Sequence, residues 1–212
     1  LHWVSSVSHT DAKVDYGYDE DWAFTGIHPD GYTSFDRYFR EIENTTIDTR
    51  FVGGNNESIY WTGGLYFQDK TVDLQRTYTF DAPFISEYQT THIAAYGEIS
   101  VDTSDALNIT VGVRVEDFEG DYNDDRNESS SPSETLWGGH ISANYQLNNE
   151  LSLFSRLSKG FKAAGVNSEN SNVIPEKNST YDTESLYNAE IGANFGSVDG
   201  SLVGQITAFY QE

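Results

Sequence analysis

The chain is 212 residues long, enough for one sizeable domain, and carries 34 acidic against 12 basic residues for a formal net charge of -22. So few cations exclude nucleic acid as a partner, because phosphate neutralisation needs Lys and Arg, and the absence of Cys excludes disulfide frameworks, thiol nucleophiles and Cys-ligated zinc. The 37% hydrophobic content is low for a chain packed around an oily centre, while 14% aromatic residues are too many for a disordered acidic chain.

In chain order, the dominant pattern is alternation with period 2, the signature of strands with one apolar face. Weaker strand candidates lie at residues 1 to 12 and 40 to 52; clearer ones are SIYWTGGLYFQ (58 to 68) and THIAAYGEISV (91 to 101). LNITVGVRVE (107 to 116) is the plainest, with Leu107, Ile109, Val111, Val113 and Val115 on one face and Asn108, Thr110, Gly112, Arg114 and Glu116 on the other. TLWGGHISANYQL (135 to 147), ELSLFSRL (150 to 157), LYNAEIGANF (186 to 195) and SLVGQITAFYQ (201 to 211) follow. These segments predict about nine antiparallel strands of about 10 to 13 residues, a length that suits the spanning strands of an outer-membrane barrel better than those of a soluble sandwich.

The connections alternate in length. Residues 53 to 57, 103 to 106, 148 to 149 and 197 to 200 make short turns rich in Gly, Asn, Asp and Ser; residues 13 to 39, 69 to 89, 117 to 134 and 160 to 184 make long ones, which hold most of the acid. The predicted fold is therefore all-β, an antiparallel transmembrane barrel segment of up-and-down strands with short periplasmic turns and long extracellular loops. Trp61, Tyr66, Phe67, Tyr88, Phe118, Tyr122, Trp137, Tyr145, Tyr187, Phe195, Phe209 and Tyr210 stand near strand ends as candidates for interfacial girdles. Two other architectures fit parts of the pattern: a soluble secreted β-sandwich acting as a carbohydrate-binding module, and a small closed barrel, which an odd strand count disfavours.

No stretch approaches the roughly 20 apolar residues of a membrane helix. No Met is present, so Leu1 is not a translation start, and the chain reads as a piece of something longer.

Chemistry-bearing clusters are few. Asp117, Glu119 and Asp121 are weak calcium candidates within EDFEGDYNDD, which lacks the spacing of an EF-hand loop and reads first as a solvated, self-repelling loop. The five histidines, His2, His9, His28, His92 and His140, show no metal-ligand spacing, and no catalytic constellation or cofactor motif is present. Gly53-Gly54, Gly63-Gly64 and Gly138-Gly139 fall at turns or inside strands, where they leave room for bulky neighbours. The triplets at Asn44, Asn56, Asn108, Asn127 and Asn178 match glycosylation sequons, a pattern that Asn- and Ser-rich turns also generate.

SRLSKGFKAAGVN (155 to 167) concentrates Arg156, Lys159 and Lys162 within seven residues of an acidic chain. With Ser158, Gly160, Phe161, Lys162, Gly165 and Asn167, then Tyr181, Glu184, Glu190 and Gly192, then Asp199, Gly200, Phe209 and Tyr210, it resembles the C-terminal half of the barrel in TonB-dependent outer-membrane receptors. IDTRF, YWTGGLYFQD and AAYGEIS extend the likeness over most of residues 40 to 212, while Thr183 and Ala189 depart from the family's usual Pro and Tyr.

The resemblance implies a barrel of about 22 strands around a plug, a non-enzymatic transporter that binds a scarce nutrient (iron chelate, cobalamin or glycan) and imports it with TonB-derived energy. Residues 1 to 212 would then be a partial barrel without plug, first strands or terminal strand, contacting outer-membrane lipid and, through the missing N-terminal region, the TonB system. Within that reading, Tyr16, Tyr18, Trp22 and Tyr32, with Phe24 and Phe35, are loop aromatics available to a small-molecule or glycan ligand. Arg114, Glu116, Arg156 and Glu190 face the lumen, because a charge on the lipid face costs about 2 to 4 kcal/mol near the midplane. Lys159 and Lys162 are expected at the outer rim, paired with neighbouring acidic loops in preference to anionic lipid headgroups. The acidic loops disfavour anionic siderophores.

Overall fold

The structure, a computed structural model, describes residues 1–19, 26–27, 33–54, 58–167, 180–197 and 200–212. Trp22, Phe24, His28, Tyr32, Asn56, Asn178 and Asp199 lie outside the described residues.

The described elements are all strands: β1 His2–Asp19, β2 Phe35–Gly54, β3 Ile59–Tyr78, β4 Phe84–Ser104, β5 Leu107–Asp124, β6 Ser129–Ser130, β7 Ser133–Asn148, β8 Leu151–Lys162, β9 Gly165–Val166, β10 Thr180–Tyr181, β11 Glu184–Gly196 and β12 Val203–Gln211. The nine long strands form one antiparallel sheet in the order β1-β2-β3-β4-β5-β7-β8-β11-β12, with β6 added to β5, while β9 and β10 make a separate pair within a long connection. The meander agrees with the sequence expectation in strand number, order and sense. Among the described residues all the long strands share one sheet, whose first and last strands, β1 and β12, each pair on one side; this fits neither a sandwich nor a small closed barrel.

Strand length departs from expectation. β1 to β5 run 18, 20, 20, 21 and 18 residues, so most of residues 69 to 89 and much of 13 to 39 and 117 to 134 are strand, not loop. The added residues are mostly polar on the outer face, and on the inner face apolar ones such as Leu74, Phe84 and Phe118 are interspersed with charged ones such as Asp36 and Arg76. Alternation marks a strand only where one face is uniformly apolar, and neither face of these extensions is.

The short turns behave as expected. Glu150 N–H donates to the Asn148 side-chain oxygen at 2.9 Å; Leu202 N–H donates to Ser197 Oγ at 3.0 Å; and Gly200 takes φ 71°, a left-handed value that Gly adopts without steric cost. Register shifts at Asp102/Ser104 and Gln146/Asn148 sit at the same end of the sheet, where bulges tighten the twist into a turn.

Curvature separates the two faces. Tyr38, Leu74, Phe84, Ala94, Phe118, Tyr122 and Leu136 are buried and share one strand parity, which defines the inner, concave face. The opposite parity carries a continuous exposed apolar band, including Leu65, Ile93, Val113, Ile141, Leu157, Ile191 and Ile206. On β3 this band runs from Trp61 to Phe67 and then gives way to Asp69, Thr71 and Asp73.

The aromatic girdle expectation divides accordingly. Trp61, Phe67, Trp137, Tyr145, Tyr187, Phe195 and Tyr210 have outer parity, whereas Tyr66, Tyr88, Phe118, Tyr122 and Phe209 have inner parity and are not girdle residues. Strand-end position alone does not decide the face; odd or even register does.

Candidate functional site

The inner face beyond the apolar band, toward the long connections, carries the densest organised chemistry. Here β1, β2 and β3 align Tyr16 with Tyr38, Tyr18 with Asp36, and Tyr38 with Arg76. Arg76 grips Asp36 with two parallel bonds, Nε to Oδ1 at 2.9 Å and Nη2 to Oδ2 at 2.6 Å. The Tyr38 and Tyr18 hydroxyls donate to the same carboxylate at 3.2 and 3.3 Å. Asp36 is 3% exposed, and burial alone pushes its carboxyl up, but the Arg76 guanidinium and the two hydroxyls outweigh it and hold it below the usual carboxylate range. Burial and the Tyr18 hydroxyl push the Tyr38 phenol up, so it stays a neutral donor.

Aromatic rings and guanidinium groups interleave above this pair. Tyr16 stacks on Tyr38 with centroids 5.2 Å apart and planes 5° from parallel; Arg40 lies 5.5 Å from the Tyr16 ring and 5.7 Å from Tyr38; Arg76 lies 5.1 Å from Tyr38 and 5.4 Å from Tyr78. Across the sheet Arg126 pairs with Asp81 at 2.9 Å and covers Phe84 at 4.9 Å. The Arg126 guanidinium lowers the Asp81 carboxyl. Such cation–π stacks lay flat guanidinium and aromatic surfaces side by side, a platform on which a planar group could stack.

Tyr16 and Tyr18 are thus strand residues of the inner face, not loop residues, and Phe35 begins β2 on the outer parity. Asp36, Tyr38, Arg40 and Arg76 were missed from the sequence. Their signal was present as i, i+2 spacing, Tyr16/Tyr18, Asp36/Tyr38/Arg40 and Arg76/Tyr78, which puts each set on one face of a strand.

Lower on the same face lies a second network. Glu116, 5% exposed, accepts from Arg114 Nε at 2.8 Å and contacts His92 Nδ1 at 2.8 Å. Arg114 also sits 4.8 Å from the Tyr66 ring, Tyr96 donates to Asp48 at 2.7 Å, and His140 approaches Glu98 at 3.3 Å. A cavity of about 690 Å³ opens here between Tyr96, Glu98, Arg114, His140, Arg156 and Phe161. Arg114, Glu116, Arg156 and Glu190 therefore share the inner face, with Arg156 directly across from Glu190 in the β8–β11 register. Of the glycines singled out in the sequence, Gly138 lies against the Lys159 carbonyl oxygen and the Phe161 ring; Gly112, not among them, makes room for the His140 ring.

The calcium candidates do not converge. Asp117, Glu119 and Asp121 follow each other at every second position of β5 on the outer face, so the first and third are about 13 Å apart along the strand. Among the described residues no group of three His, Asp or Glu is placed to hold a metal ion.

The cationic stretch splits by parity. Lys162 has inner parity and pairs with Glu184 at 3.4 Å, as expected of a cation meeting a neighbouring acid. Lys159 has outer parity and instead lies 3.9 Å from the Trp137 ring centroid, donating to the Trp137 carbonyl at 3.0 Å.

The family described as TonB dependent receptor-like, beta-barrel matches residues 1–212. No curated protein matches the chain by sequence. Among solved structures, the chain is similar to the ferric yersiniabactin uptake receptor FyuA from Yersinia pestis, at 18% identity and TM-score 0.66 over 99% of this chain and 33% of that one. BauA, the ferric preacinetobactin receptor from Acinetobacter baumannii, gives 14% and 0.65 over 98% and 34%. The ferripyoverdine receptor of the outer membrane of Pseudomonas aeruginosa gives 17% and 0.69 over 99% and 30%. The chain spans about a third of the length of these receptors, and the likeness at such identity concerns the fold. The family and its structural neighbours are receptors, not enzymes. On its fold and on the family match over every residue, this chain belongs to the TonB-dependent receptor-like β-barrel family of the bacterial outer membrane.

Proposed function

We propose that residues 1 to 212 form part of the wall of a receptor that binds a metal chelate at its extracellular mouth and imports it with energy delivered through TonB to a plug outside this segment. The exposed apolar band then contacts lipid, the inner face lines the lumen, and the long connections are extracellular. The observation that carries this reading is the arginine–tyrosine stack of Tyr16, Tyr38, Arg40 and Arg76, inward-facing and beyond the apolar band.

The overall acidity does not argue against an anionic chelate once parity is considered. Asp69, Asp73, Asp117, Glu119 and Asp121 have outer parity, whereas Arg40, Arg76 and Arg114 share the inner parity with Asp36 and Glu116, so the inner face balances its acids with cations far more than the outer face does. The field a ligand meets depends on the charges that line its path. Several structural neighbours are named for ferric chelates, which favours iron chelates over cobalamin or glycans as the ligand class.

The test is uptake of radiolabelled iron by cells expressing the full-length receptor, supplied with a panel of catecholate, carboxylate and phenolate chelates. Uptake of at least one chelate, abolished by deletion of TonB and reduced by Arg40→Ala, supports the proposal. Equal uptake with and without the receptor for every chelate, alongside receptor-dependent uptake of cobalamin or an oligosaccharide, would replace the ligand class.

A further inference from the structure

The outer face of β7, β8 and β11 carries a feature that nutrient binding does not use. In register across the sheet, one outer row reads Val113, Gly139, Lys159, Tyr187, and the row below it reads Val111, Ile141, Leu157, Ala189, Tyr210. Gly139 and Ala189 are the two small residues in these rows. Between their larger neighbours lies an open groove of about 500 Å³, walled by Trp137, Ile141, Leu157, Tyr187 and Tyr210. Its wall side chains are far more exposed than a core would allow: Leu157 59%, Tyr187 55% and Trp137 54%.

The groove is polarised. β7 enters from the long-connection end, so Trp137 marks the upper edge and Ile141 the lower wall, and Lys159 stands at the upper edge beside Trp137. The outer-face cations farther out, Lys13 and Arg37, are ion-paired with Glu41 and Asp15. Among the described residues no carboxylate pairs with Lys159; its ammonium meets only the Trp137 ring and carbonyl. An ammonium has three donors, and a carbonyl takes one of them. A cation at the top of an apolar hollow, with an aromatic residue on either side, complements a molecule with an anionic head and a hydrocarbon tail.

We propose that this groove binds one outer-leaflet lipid, with a phosphate of its headgroup on Lys159 and an acyl chain laid over Gly139 and Ala189. The site rests on the reading of the outer face as lipid-facing. The acidic side chains farther out on the neighbouring strand, Asp117, Glu119 and Asp121, repel phosphate, so Lys159 sets both the depth and the lateral position of the headgroup.

The experiment is native mass spectrometry of the delipidated full-length receptor with diphosphoryl lipid A and with its fully dephosphorylated form. The wild type is expected to retain one diphosphoryl molecule, and the dephosphorylated form about tenfold less, as loss of a charge-assisted hydrogen bond implies. Lys159→Ala should bring the diphosphoryl form down to the dephosphorylated level, Lys159→Arg should preserve retention, and Ala189→Phe, which fills the groove and keeps the charge, should reduce both forms alike. Equal retention of the diphosphoryl form by wild type and Lys159→Ala, or full retention by Ala189→Phe, overturns the site. Each variant is first checked for the gel-mobility shift on heating that marks a folded barrel. A wild type that never shows that shift overturns the membrane reading itself, whereas a failed lipid site leaves the shift and the uptake intact.

Discussion

Arg76 on β3 clasps Asp36 on β2 through both carboxylate oxygens, and Tyr38 and Tyr18 complete the coordination of that carboxylate from the same face. Tyr38 lies between Arg76 and Tyr16, so the ion pair also sets the aromatic stack. Removing the cation leaves a buried carboxylate held by two hydroxyls alone, which is costlier than removing both partners. Arg76→Ala should therefore lower stability by about 3 kcal/mol, and the double variant Arg76→Ala with Asp36→Ala by less. Thermal unfolding of the two, compared with wild type, checks the order.

The same carboxylate gives a pH signature. Asp36 lies about 20 Å beyond the apolar band, counting from Phe67 to Arg76 along a tilted strand. Its folded pKa is lowered, so the folded state binds its proton less readily than the unfolded chain does. The stabilisation is then complete above the ordinary aspartate value of about 3.9 and fades as pH falls through the lower folded value. Wild type should unfold at a higher temperature than Asp36→Asn at pH 7, and the gap should narrow below pH 4. A gap that stays constant down to pH 2.5 would contradict the assigned role.

The outer-face acids farther along β5 are not expected to share a cation. Because Asp117, Glu119 and Asp121 are spread along β5, calorimetry of the full-length receptor should show no heat from millimolar calcium that Asp121→Asn abolishes. Saturable heat sensitive to that substitution would mean that the strand end rearranges around the ion.

What the sequence disclosed follows from where its two faces differ. Leu107 to Glu116 alternates apolar with polar because one face meets the apolar band and the other the interior, and the strand was legible from that alone. Asp69 to Tyr78 continues β3 with Asp, Thr and Gln on the outer side and Lys, Val, Leu and Arg on the inner side; neither face there is uniformly apolar, so the strand read as a loop. The cluster around Asp36 and Tyr38 was hidden for the same reason. Tyr16 and Tyr18 stand out as aromatics, but their partners Asp36 and Arg76 lie on strand segments whose pattern reads as connection, and cross-strand pairing depends on register that a single sequence does not supply. Arg114, Glu116, Arg156 and Glu190 each sit in an alternation where register alone assigns them the same parity.

That parity makes Arg156 and Leu157 an instructive pair, adjacent in sequence and opposite in facing. Arg156→Leu should leave folding into the membrane intact and change only the interior, where Arg156 borders the inner cavity. Leu157→Arg, one residue on, places a charge on the outer band and should cost about 2 to 4 kcal/mol if it lies near the midplane, and less toward the rim. The readout is folding into vesicles monitored by the gel-mobility shift: near wild type for the first variant, impaired for the second. Equal impairment would mean that the facing of β8 has been misassigned.

Glycine substitutions separate two kinds of close approach. A Cβ on Gly112 would meet the His140 ring, which can swing away, so Gly112→Ala should cost little and chiefly break the 3.3 Å contact between His140 and Glu98. A Cβ on Gly139 would instead lie 2.6 Å from the Gly112 carbonyl oxygen, a backbone atom fixed in the β5–β7 ladder. Relief there requires the strands to part, and overpacking of that kind costs about 1 to 3 kcal/mol. Gly139→Ala is therefore expected to destabilise the barrel more than Gly112→Ala, although both introduce one methyl group on the same pair of strands. Comparing thermal midpoints of the two variants in the same detergent decides it, and a larger loss for Gly112→Ala would mean that the His140 ring, not the backbone, is the rigid partner at this crossing.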